Sequence, residues 1–200
     1  MIERTLKVFS VFLFVFILSG VMEITAQEAA DHLVISQVCL NNIQTVKSWI
    51  EVYNPTDKDL VLERFRLSHL KTINVLPKEI NKEGGIKVGA GGYIILCADE
   101  DLFKTTYGKE VKVFYVKALS QITSGGFLAI TTKGADITKG GLVRYGKGEW
   151  SSKIAELAGG QVVGFSGEGK SYARKIEKSG KDIIITDFTE STANPGKSNN

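Results

Sequence analysis

Apolar residues along the chain fall in short runs of three to six, cut by Gly, Asn-Pro or charged residues, which is the signature of strands rather than helices. The runs are Leu33–Val38, Trp49–Tyr53, Leu60–Leu62, Phe65–Leu67, Tyr93–Cys97, Val111–Val116, Phe127–Thr131, Leu142–Tyr145, Gln161–Phe165 and Asp182–Thr186. Asn54-Pro55 stops the second run, because proline cannot continue a central strand. Gly89-Ala90-Gly91-Gly92 marks a turn before the fifth. Only Asp101–Tyr107 and Ser151–Leu157 have the composition of a helical turn or two. Many short strands at near-regular spacing predict an all-β, antiparallel β-sandwich or barrel. Within Trp49–Tyr53, alternation puts Ile50 and Val52 on the core face. Trp49, Glu51 and Tyr53 go to the other face, where the two aromatics either stack on a ligand or pack across strands. The polar stretch Ser191–Asn200 reads as a tail ordered only at its start.

The first 26 residues follow a different logic. Arg4 and Lys7 precede an apolar core, Val8–Leu18, and Ile24-Thr25-Ala26 supplies a small residue before Gln27. That order describes a secretory signal peptide, 1–26. The competing reading is an uncleaved membrane anchor, but the apolar run is shorter than the roughly 20 residues a span needs. Any membrane attachment would come through that segment alone. The predicted location is therefore exported: periplasmic, cell-surface or secreted.

Charge and composition narrow little further. Lys+Arg 25 against Asp+Glu 22 leaves +3, too small to name a polyanionic partner. Export changes the reading of Cys39 and Cys97. In an oxidising compartment they could pair, and otherwise they are two buried thiols acting as small hydrophobes.

Candidate chemistry is sparse. Gly164-Phe165-Ser166-Gly167-Glu168-Gly169-Lys170-Ser171 matches the phosphate-cradling pattern G-x-x-x-x-G-K-[ST]. That loop belongs to a parallel α/β sheet, which the strand pattern before it contradicts, so a Gly-rich hairpin is expected and no nucleotide. Asp99-Glu100-Asp101 lacks the spacing of a calcium loop and suits a helix N-terminus. His32 and His69 have no neighbouring ligands at metal spacing, and His69 beside Ser68 makes no triad by itself. Lys170, Arg174, Lys175, Lys178 and Lys181 form a basic cluster diluted by Glu177, either a solvated loop face or a contact for nucleic acid or anionic polysaccharide. No acid, base, nucleophile and metal set converges, and no cofactor is expected.

Trp49-Ile50-Glu51-Val52-Tyr53-Asn54-Pro55 resembles the W-I-E-L-Y-N-P core of lamin-tail domains. Leu33–Val38 is similar to that family's opening strand, and Val88–Leu96 to its glycine turn and central strand. Lys170-Ser171-Tyr172-Ala173-Arg174-Lys175 is similar to its S-x-x-R segment, and Asn194-Pro195-Gly196-Lys197-Ser198-Asn199 to its closing P-G-x-x-N. The likeness runs over residues 32–199. It departs at Phe65-Arg66-Leu67 and at Asp182–Phe188, where the family often carries tryptophan. The resemblance implies an Ig-like β-sandwich without catalytic residues, acting as an interaction module for another macromolecule, first of all a protein in the envelope or outside the cell. The alternative is a module for polysaccharide or extracellular DNA, with Trp49, Tyr53, Lys170, Arg174 and Lys175 as binding candidates.

Overall fold

The computed structural model of the chain describes residues 31–41, 47–67, 74–108, 110–122, 124–148, 150–159, 161–179 and 182–197. The signal-like segment 1–26, the Ser68-His69 pair and Lys181 lie outside them. The strands are β1 (Val34–Cys39), β2 (Trp49–Tyr53), β3 (Leu60–Leu67), β4 (Ile86–Val88), β5 (Tyr93–Cys97), β6 (Lys112–Tyr115), β7 (Gly125–Thr132), β8 (Leu142–Gly146), β9 (Val162–Val163), β10 (Lys170–Ala173), β11 (Ile176–Ser179), β12 (Asp182–Ile185) and β13 (Thr189–Thr192). Among the described residues, three short α-helices interrupt them: α1 (Lys78–Lys82), α2 (Glu100–Tyr107) and α3 (Ser152–Leu157). The sequence pattern anticipates α2 and α3 but not α1, whose five residues bury none of their side chains.

Two sheets make the sandwich. One has the order β13-β10-β1-β2-β5-β6, the other β4-β3-β7-β8-β9, and β11-β12 is a separate hairpin. Pairing is antiparallel except for β5 with β6 and β8 with β9. The fold is thus all-β and sandwich-like, as the strand pattern predicts. Its main core lies between the sheets, where Ile35, Val38, Ile50, Val52 and Leu96 meet Leu62, Phe65, Leu128, Val143 and Tyr145.

Two of the strands reach that core only by breaking the period of two. In β1 and its flanks the core residues are Leu33, Ile35, Val38 and Leu40; in β3 they are Leu60, Leu62, Phe65 and Leu67. Each set is spaced two, three, two. A plain strand would turn half of each set to the wrong face. Instead the register shifts between Ile35 and Gln37 in β1, and between Leu62 and Arg64 in β3. One extra residue at each bulge, Ser36 and Glu63, restores the inward facing of the next pair. The two pieces Leu60–Leu62 and Phe65–Leu67 are therefore one strand.

The outer face of the first sheet is buried as well. Cys39, Trp49, Ile95 and Cys97 form a second apolar cluster with Phe103 of α2. Beside it, Glu51 is wholly buried. Its carboxylate accepts from Ser36 Oγ at 2.6 Å and from the Gly196 backbone N–H at 2.5 Å. This contact corrects the expectation of a tail ordered only at its start. β13 pairs with β10, Pro195 is buried, and the segment 193–197 runs back over the sheet to reach Glu51. Only glycine suits position 196, where φ is +78° and a Cβ would run into the Val111 side chain.

Burial pushes the Glu51 carboxyl from 4.5 up to about 7, against the hydrogen bonds from Gly196 and Ser36, which favour the anion. A carboxyl raised by folding stabilises the native state fully below its unfolded value of 4.5, and that contribution is lost as pH climbs through 7. The displacement is worth roughly 3 kcal/mol at most. Urea unfolding should give a lower midpoint at pH 8 than at pH 5 for the wild type, and Glu51→Gln should flatten most of that difference. An unchanged pH dependence in the variant would show that Glu51 is not its source.

Candidate functional site

The largest aromatic concentration on the outer face of the first sheet sits where α2 crosses it. Asp99 caps the helix, its side chain accepting from the Leu102 N–H at 3.0 Å. Glu100 ties the helix to the sheet edge by accepting from the Tyr115 N–H at 2.8 Å, and also pairs with Lys104 at 2.8 Å. Asp99 and Glu100 are thus spent on capping and docking the helix, and Asp101 lies exposed in its first turn, the place expected of acids at a helix start. Phe103 is buried, and both Phe103 and Tyr107 meet the Trp49 ring edge-on at 5.6 Å.

Between α2 and the β10–β13 side of the sheet lies a groove of about 430 Å³. Trp49, Cys97, Phe103 and Tyr107 form its floor and near wall. The far wall is the turn Glu168-Gly169 with Thr192-Ala193, zipped together by the Ala193 N–H donating to the Gly169 carbonyl at 2.9 Å. Lys47, Asp99, Thr106 and Glu168 give the groove a polar rim of mixed sign. A cleft of this size and lining takes a small molecule or one or two side chains of a partner.

The far wall contains the end of the phosphate-loop pattern. Lys170 N–H closes a turn onto the Gly167 carbonyl at 3.1 Å, and Lys170 then opens strand β10. A phosphate cradle needs a helix N-terminus at that point; here there is a strand.

Other sequence candidates are scattered. Trp49 is only 2% exposed, so it is a groove floor and not a free stacking platform. Tyr53, at the other end of β2, is half-buried and stacks on Tyr93 with centroids 4.5 Å apart. Arg174 is buried, its guanidinium 3.7 Å from the Phe188 ring centroid, and burial pushes its pKa down to about 9. It is a core cation and not part of an exposed basic face, which corrects its reading as a surface contact. Lys170 and Lys175 are exposed but five positions apart, roughly 16 Å along an extended chain. Arg174 thus leaves the exposed part of the cluster to Lys170 and Lys175, while Lys181 and the Lys178 side chain lie outside the described residues.

Cys39 and Cys97 are both free and buried. Register explains why: Cys39 pairs with Trp49, and Trp49 pairs with Cys97. The thiols lie on one face with the indole between them, two strand spacings or about 10 Å apart. A disulfide needs Cα atoms within about 7 Å, so the pairing that export would permit does not occur. Burial pushes each thiol up to about 11, which removes the thiolate and with it nucleophilic chemistry at neutral pH.

Sequence reasoning singled out the Glu168-Gly169 half of the groove's far wall and missed the other half. Thr192 and Ala193 reach it only through β13, in a stretch whose polarity suggests a loose tail. Without reductant, unfolded protein should take up two equivalents of an alkylating reagent, while native protein should take up almost none over the time a free thiol reacts. Absence of labelling after unfolding would restore the disulfide. No protein-family model, curated protein or solved structure matches the chain.

Proposed function

We propose that the protein is an exported, non-enzymatic β-sandwich of the lamin-tail type that holds part of another protein, in the envelope or outside the cell, in the groove beside α2. The observation that carries this reading is the groove's lining: an aromatic floor of Trp49, Phe103 and Tyr107 under a rim of Lys47, Thr106 and Glu168. An apolar anchor side chain seated on aromatics, surrounded by rim hydrogen bonds, is the usual anatomy of a protein-recognition hot spot. The groove's own groups favour binding over chemistry, because its thiol is held protonated and Asp99 is committed to the helix cap. The resemblance of Trp49–Pro55 to the lamin-tail core supports an interaction role. The basic and apolar order of residues 1–26 supports export.

The polysaccharide or DNA reading keeps fewer resources. Of its five residues, Arg174 is buried and Trp49 is open only as the groove floor, while the surface retains Lys170, Lys175 and part of Tyr53.

Thr106 stands exposed on the groove wall, so Thr106→Trp fills the groove without touching the core. Cross-linking a tagged full-length protein in its own cells should recover a reproducible protein partner. Thr106→Trp should lower that recovery about tenfold at an unchanged melting temperature, and Val162→Ser, on the edge of the other sheet, should leave it intact. Equal recovery with Thr106→Trp would overturn the assignment of the groove. Recovery of polysaccharide or DNA in place of protein would favour the alternative.

A further inference from the structure

A second cavity, of about 550 Å³, lies on the opposite side of the molecule, between the outer face of the second sheet and α3. Its base is set by the β3 bulge. Because Phe65 and Leu67 point into the core, Arg64 and Arg66 project from β3 to the outside. There Arg64 lies opposite Thr131 of β7, and Arg66 opposite Ala129. Lys153 reaches the cavity from α3.

Two groups in this lining are unsatisfied. Arg66 Nε and Thr131 Oγ1 are both shielded from solvent, and neither has a hydrogen-bond partner among the described residues. Thr131 is only 6% exposed. Burying a donor without a partner is costly, and native proteins rarely tolerate it unless a ligand or water completes the bond. The charge balance points the same way. Glu63 is occupied by Arg64 at 3.3 Å. Among the described residues of the lining, that leaves Arg66 and Lys153 against Asp136 as the remaining acid, one more positive charge than negative.

We propose that this cavity binds a small oxyanion, a carboxylate, sulfate or phosphate group, with Arg66 and Thr131 as its hydrogen-bond donors and Lys153 as the second cation. A guanidinium donates through a planar fork that fits two oxygens of such a group, and a hydroxyl on the neighbouring strand can donate to one of the same oxygens or, in a sulfate or phosphate, to a third. One anionic charge neutralises the lining. The site is independent of the groove beside α2: it lies on the other sheet and shares no residue with it.

The test follows the Arg66 Nε–Hε resonance by ¹⁵N NMR while sodium phosphate, sodium sulfate and sodium glucuronate are each added, with sodium chloride as the ionic-strength control. The expected result is a saturable shift with at least one oxyanion, absent with chloride. Arg66→Gln should abolish the matching saturable shift of the Thr131 amide, and Thr131→Val, which keeps the side-chain shape, should weaken binding about three- to tenfold. A preference for glucuronate would name an acidic sugar as the source of the group, and a preference for phosphate a phosphorylated one. A resonance that stays still, or moves linearly and alike with chloride, would overturn the site.

Discussion

Strand β2 is the constraint on which the other elements depend, because both of its faces are buried. It runs between β1 and β5 in the middle of the larger sheet. Ile50 and Val52 face the second sheet, and Trp49 and Glu51 face away from it, yet all four are at most 2% exposed. A strand with only one covered face would leave an indole and a carboxylate in water. Here a buried indole is worth on the order of 3–5 kcal/mol relative to alanine, enough to demand its own cover. α2 supplies that cover over Trp49, and the chain end supplies it over Glu51. Asn54 finishes the strand by the same principle. Its side-chain amide donates to the carbonyls of Lys58, Val88 and Gly89, and its oxygen accepts from Thr56. One wholly buried side chain thereby holds two loops together.

The groove beside α2 follows from this arrangement. A short helix laid across a flat sheet face to bury one tryptophan cannot also meet the β10–β13 edge. The gap between them inherits an aromatic floor from the helix side and a polar wall from the chain end. The price of covering the second face is a carboxylate held away from water, whose proton affinity rises into the neutral range. Its partner across the strand pair, Gln37, is also wholly buried and leaves both amide atoms without a hydrogen-bond partner among the described residues. The outer face of this sheet is therefore less well satisfied than the inner one, and the difference reflects what covers it: a helix of eight residues and a strap of chain rather than another sheet.

The bulges of β1 and β3 act at both ends of the molecule. In β1 the extra residue, Ser36, turns its hydroxyl onto Glu51 and helps to hold the buried carboxylate. In β3 the extra residue lets Phe65 and Leu67 face inward, which sends Arg64 and Arg66 outward together. A one-residue irregularity that serves the core thus also decides which side chains line each outer face.

The sequence by itself determined the strands built on apolar runs, the inward facing of Ile50 and Val52, the turns at Asn54-Pro55 and Gly89–Gly92, and the two longer helices, because each rests on local periodicity or on residues that restrict the backbone. β4, β10, β11 and β13, short or mostly polar, carry no such run and are strands only through their pairing. Even the bulges are written in the sequence, as the two-three-two spacing of Leu33, Ile35, Val38 and Leu40 and of Leu60, Leu62, Phe65 and Leu67. What only the tertiary structure decided is which outer faces are covered and by what. The cover for Trp49 comes about 50 residues downstream, and the partner of Glu51 is Gly196, 145 positions away. Whether Cys39 and Cys97 meet depends on which strand separates them. Whether Arg174 is a surface cation depends on whether Phe188 folds against it. Local pattern carries no information on such distances, because packing across the sandwich is set by register and sheet order and not by neighbours along the chain.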